Sequence, residues 1–272
     1  GGTGVMVSNQ QSPPQQTDQK PVLPPESPVQ EEEKQLTEKP ADPINPIQEA
    51  TPATPLLTGT ITGNYTIVQN GYWAARDNTT VTLDANGVLT SFLDTSEGVT
   101  SLGTAQGSSS GNDGVIAWGR WSGGTTAGAF TLNTAPSQTE LHYVVGIAPT
   151  AMPTSGEATY SMIGATPPSG FEGVTALTSS SLKINFGTSS GVFHGAFTMS
   201  GQALTTLPGG ANISVLSGGR LTGGGCMVGA CIGGNISLQG ILAGAEASRA
   251  GMTYQLNAGG GITHGAIAYK KD

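Results

Sequence analysis

Two alternating runs meet at an Asn-Gly step: Thr80-Val81-Thr82-Leu83 and Val88-Leu89-Thr90-Ser91-Phe92 flank Asp84-Ala85-Asn86-Gly87. In such runs apolar and polar residues alternate, which is the period of a strand with one face buried. Asn-Gly between them predicts a hairpin, because both residues tolerate positive φ. The same texture continues to the end of the chain, with apolar sets in Leu182, Ile184 and Phe186, in Phe193, Phe197 and Met199, and in Met252, Tyr254 and Leu256. Further strands are expected near 61–68, 99–106, 115–121, 127–132, 140–147, 157–164, 181–186, 191–199, 211–216, 236–243, 250–257 and 262–270. Forty-two glycines and only 10% charged residues leave few architectures except many short strands joined by tight turns. Helical spacing recurs only over 243–250, too short and too Gly-flanked to predict a helix. A long meander with one sequestered face closes into a barrel or folds into a sandwich. Closure removes exposed edges, so the expected fold is all-β, an antiparallel meander closing into a β-barrel.

That reading covers residues 58–272. Residues 1–57 contain no aromatic residue and eleven of the seventeen prolines. Such a segment cannot bury enough apolar surface to offset its ordering entropy, and alone it should be an extended, Pro-rich arm or linker. Its candidate anchors on another surface are Val22, Leu23, Ile44, Ile47, Leu56 and Leu57. The chain starts without Met or a leader, which predicts a processed fragment of something longer.

Of the net charge of −8, the arm supplies five units and the rest three, with no basic stripe. Nucleic-acid binding is therefore not expected. The longest apolar runs, such as 143–148, fall far below the roughly eighteen residues of a membrane-spanning helix. Three Trp, six Tyr and six Phe, scattered, do not supply the aromatic girdles of a lipid-facing barrel.

Gly-x-Ser-x-Gly occurs at 107–111 and 187–191. A nucleophile elbow needs a strand before it and a helix after it, and neither place predicts the helix, so no catalytic residue is assigned. The acidic residues of the 58–272 region are isolated from one another, so no metal or paired-carboxylate site is expected, and no cofactor. Cys226 and Cys231 sit in a Gly-rich turn and are read as a local disulfide, implying an oxidising compartment. On alternation His142 and His194 fall opposite the apolar sets of their strands and are expected to face solvent. His264 shares a face with Ile262, Ala266 and Ala268: a hydrogen-bonded core or rim histidine, or alternatively an axial haem ligand. Trp118 and Arg120 share a strand face that Trp121 does not. With His264 they form a candidate ligand or packing cluster, in which a guanidinium beside an indole makes a cation–π pair.

Trp118-Gly119-Arg120-Trp121, His142-Tyr143-Val144-Val145-Gly146 with Pro149-Thr150, Ala158-Thr159-Tyr160-Ser161-Met162-Ile163-Gly164-Ala165-Thr166-Pro167, Leu182-Lys183-Ile184-Asn185-Phe186-Gly187, and the stretch from Ala243 through Glu246 and Arg249 to Tyr254 carry a resemblance. They resemble the C-terminal β domain of FecR-domain-containing secreted or surface proteins of Gram-negative bacteria. That domain is distantly similar to the barrels of transferrin-binding protein B-like surface lipoproteins. The resemblance implies a β-barrel at the cell surface or outside the cell.

Two functions follow as expectations, neither of them enzymatic. The first is a structural subunit that assembles with other copies of itself, as a filament or surface polymer, through the arm. The second is a cell-surface binding module for haem, an iron carrier or a host protein, with the arm as a stalk.

Overall fold

The computed structural model describes residues 54–134, 140–171, 173–229 and 234–272. Val22, Leu23, Ile44, Ile47 and Cys231 lie outside the described residues. In chain order the strands are β1 (Gly59–Gln69), β2 (Tyr72–Leu83), β3 (Leu89–Asp94), β4 (Gly98–Ser101), β5 (Gln106–Asn112), β6 (Ile116–Ser122), β7 (Ala127–Gly128) and β8 (Leu141–Ile147). They continue as β9 (Glu157–Ala165), β10 (Ser169–Gly170), β11 (Val174–Asn185), β12 (Ser190–Met199), β13 (Gln202–Thr206), β14 (Ala211–Val215), β15 (Arg220–Gly229), β16 (Asn235–Ala243), β17 (Arg249–Ala258) and β18 (Gly261–Lys271). The helical elements among the described residues are two three-residue 3-10 turns, Ser217–Gly219 and Ala245–Ala247.

The expected all-β antiparallel fold is present, but it is split in two. The first eight strands form an open sheet in the order β5-β6-β8-β1-β2-β3-β4-β7. The rest close on themselves through the pairing of β18 with β9. In that ring β13 and β14 share one position, both lying between β12 and β15, so the barrel has eight strand positions. Residues 207–210 break the shared strand in the middle.

The barrel is filled. Tyr160, Phe193, Phe197, Met252, Tyr254, Leu256 and Tyr269 are buried in one cluster, and the Phe197 and Tyr254 rings meet edge to face at 5.2 Å. The Tyr160 hydroxyl donates to the Ala247 carbonyl at 2.7 Å, and Tyr269 bonds Ser180 Oγ at 2.6 Å. These aromatics occupy the lumen of an eight-stranded barrel, which is just wide enough for side chains. The open sheet has its own core on its far face, where the Tyr65 ring tilts against Phe92 and Phe92 stacks on Trp121.

The Asn-Gly hairpin forms, with a turn chemistry that differs from the expectation. Only Gly87 has positive φ, 75°. Asp84 supplies the rest: its carboxylate accepts the N–H of Asn86 at 2.8 Å and of Val88 at 2.9 Å. Gly87 is also needed for space, since a Cβ there would lie 2.2 Å from Asn112 Nδ2. That amide clamps Leu57, accepting its N–H at 2.8 Å and donating to its carbonyl at 2.9 Å. Leu57, expected as an anchor on another surface, is therefore buried in this chain's own sheet core, while Leu56 stays exposed.

Several strands went unforeseen: β2 before residue 80, β5, the two-residue β10, the first half of β11, the short β13 and the glycine-rich β15, and the strand expected at 99–106 shrinks to Gly98–Ser101. The strand expected at 127–132 shrinks to Ala127–Gly128.

Candidate functional site at the seam between sheet and barrel

One face of β1, β6 and β8 lies on β16, β17 and β18, and close backbone approach makes the seam tight. A Cβ on Gly251 of β17 would stand 2.4 Å from Val144 Cγ1, and one on Gly164 of β9 would stand 2.3 Å from the Trp118 ring. The middle of the seam is apolar, made by Ile116, Trp118, Val144, Ile241, Ala266 and Ala268. Polar ties fasten the two layers. Asn64, fully buried, donates to the carbonyls of Gly218 at 2.9 Å and Leu242 at 3.0 Å and accepts the N–H of Asn78 at 2.9 Å. Thr66 and Thr253 share a hydroxyl bond at 2.6 Å, and Trp73 donates to Thr253 at 3.1 Å. Arg220 pairs with Asp77 at 2.7 Å and Arg249 with Asp113 at 2.5 Å.

At one end the seam turns polar around two histidines. His142 of β8, expected to face solvent, is fully buried. The alternation argument failed because the barrel covers the second face of β8. Its ring is held by Thr166 Oγ1 at Nδ1, 2.8 Å, and by Ser169 Oγ at Nε2, 2.5 Å. Ser169 is the register partner of His264 on β18. His264 is 2% exposed, and both ring nitrogens are buried with no hydrogen-bond partner. Burial pushes the His264 imidazole down to about 4. Burial also holds His142 well below the ordinary range, helped by the nearby Arg120 charge and by His264. Both rings are therefore neutral at neutral pH.

Arg120, opposite His142 in the β6–β8 register, pairs with Glu140 at 2.9 Å. Trp118 shares its face and packs in the seam, whereas Trp121 points into the far core and donates to the Leu89 carbonyl at 2.7 Å. The expected cluster is thus divided: Trp118, Arg120 and His264 belong to the seam and Trp121 does not. A hollow of about 250 Å³ next to His264 is lined by Asn70, Gly170, Phe171, Gly261, Ile262 and the histidine itself. Because the His264 nitrogens are sealed, an iron porphyrin could not be ligated without turning the ring.

His194 is exposed, as alternation predicted. Cys226 is an exposed free thiol, and no disulfide is present among the described residues. The two Gly-x-Ser-x-Gly strings fall in β5 and in the β11–β12 turn, each followed by strand.

No family model matches this chain, and no curated protein matches it. The association with FecR domains finds no support there. Solved structures with a similar fold include a transferrin-binding protein B point mutant from Haemophilus parasuis Hp5, TM-score 0.42 at 12% identity, covering 77% of this chain and 44% of that one. Another is a transferrin-binding protein B point mutant from Actinobacillus pleuropneumoniae H49, TM-score 0.38 at 12% identity, covering 78% of this chain and 100% of that one. A surface lipoprotein gives 0.37 at 13%, covering 78% and 99%. The chain spans under half the length of the first of these, and at such scores the likenesses carry no functional inference.

Proposed function

We propose that the chain is a non-enzymatic binding module displayed at a cell surface, which presents a preformed outer barrel wall to a host protein. The observation that carries this reading is where the open space lies. The lumen is filled, and two open hollows, about 460 and 310 Å³, sit on the outside of β11–β14, on either side of the strand break. Lys183, Asn185, Val192 and Asn212 line one, and Ser179, His194, Thr205 and Leu207 the other. This wall is polar, unlike a lipid-facing band. Its backbone is fixed by ring closure, so a partner meets a surface whose ordering cost is already met.

The sequence resemblance makes host transferrin the first protein to try, with haem and a ferric siderophore alongside. Interferometry on the full chain should find a partner. Lys183→Glu combined with Leu207→Asp should weaken it by about tenfold or more, the scale of a lost interface anchor. Binding indifferent to both changes would remove the wall from the reading. Sedimentation of the full chain as a polymer would restore the assembly alternative.

A further inference from the structure

The polar end of the seam holds two imidazoles between two layers that can be separated without unpairing any strand. His142 comes from the open sheet and His264 from the barrel, with Thr166 and Ser169 of the β9–β10 segment between them. The charged groups around the pair, among the described residues, are Arg120 of β6 and Glu140 just before β8. Glu140 is already committed to Arg120, so a proton arriving on His142 would meet a guanidinium and a second imidazole, with no free carboxylate to receive it. Both nitrogens of His142 also face hydroxyls. The neutral ring suits them, with one nitrogen donating and the other accepting. The doubly protonated ring forces both hydroxyls to accept.

We propose that this end of the seam is an acid-released latch, in which proton uptake by His142 and His264 loosens the open sheet from the barrel while each layer keeps its own strands.

The sign follows from linkage. A histidine whose folded value is depressed contributes its full stability above the ordinary value of about 6.5 and loses it as pH falls from there toward the folded value. For His264 that window runs down to about 4. Each ring raises the opening constant by about tenfold per pH unit inside the window, and the two together by about a hundredfold. Asp113, the seam carboxylate beside Arg249, acts lower. Burial opposes its ionisation, but hydrogen bonds from Arg249, Ile116 and Val115 outweigh that and hold it below the usual range. Its contribution disappears only as pH falls through that lowered value.

The test is an acid titration of the full chain from pH 7 to 4.5, following tryptophan emission and far-ultraviolet circular dichroism together. Trp118 and Trp73 lie at the seam and Trp121 does not. The expected result is a red shift of emission between pH 6.5 and 4.5 with strand content unchanged. His142→Gln with His264→Gln should abolish the shift or move its midpoint down by about one pH unit or more. Should the double variant fail to fold, His264→Gln alone, which removes no hydrogen bond, should make the transition shallower. Emission that stays constant until strand content is lost, or variants that titrate like the parent, would overturn the latch.

Discussion

The barrel has two kinds of wall, built from the same strand chemistry. In β12 and β14 burial alternates: Phe193, Phe197, Met199 and Ile213 face in, while His194, Asn212 and Ser214 face water. In β18 every residue from 263 to 269 is buried, because the lumen covers one face and the open sheet the other. A strand with one wet face is written as alternation. A strand between two layers has no wet face, so its second face is free to be small, apolar or internally bonded. That difference separates the two walls: the uncovered one meets solvent, and the covered one holds the molecule together.

Three measurements bear on this contrast, each by chemical denaturation. The largest effect should come from Tyr254→Ala in the lumen under the covered wall, a loss of about 3–5 kcal/mol from an unfilled cavity. A loss under about 1 kcal/mol would mean that the lumen is not packed solid. Next is Asn64→Ala in the seam. It strands one buried and two part-buried backbone groups and should cost about 2 kcal/mol; a negligible cost would show the layers to be held by apolar contact alone. The smallest should be Asn212→Ala on the uncovered wall, within about 0.5 kcal/mol. If it rivals Asn64→Ala, the two walls do not differ as described.

The same contrast explains what could be seen in the sequence. Leu182, Ile184 and Phe186, and Phe193, Phe197 and Met199, announced the uncovered wall because one period accounts for both faces. His142 misled because its side of β8 is covered by residues more than twenty positions away, which no local period records. The β15 strand was missed for a different reason. Its run Gly223-Gly224-Gly225 has no side chains to alternate, and it is needed there because a Cβ on Gly223 would lie 2.0 Å from the Asn212 carbonyl of β14. The division into an open sheet and a closed barrel depends on β18 reaching β9, a pairing set by chain closure rather than by any motif. The seam histidines could have been listed from composition, but their meeting could not.

The Leu57 clamp bears on how the folded body would respond to tension. A pull arriving from residues before Leu57 reaches Asn112, whose single amide grips the Leu57 N–H and carbonyl together. The two bonds stretch in parallel, so they must fail at the same moment rather than one after the other. Behind them, Asn112 is already paired with Ala117 at the end of the β5–β6 hairpin, and Gly87 fills the space beside it. A tug on the chain is therefore passed first into the β5–β6 hairpin at the edge of the open sheet, before it reaches the barrel and its lumen aromatics.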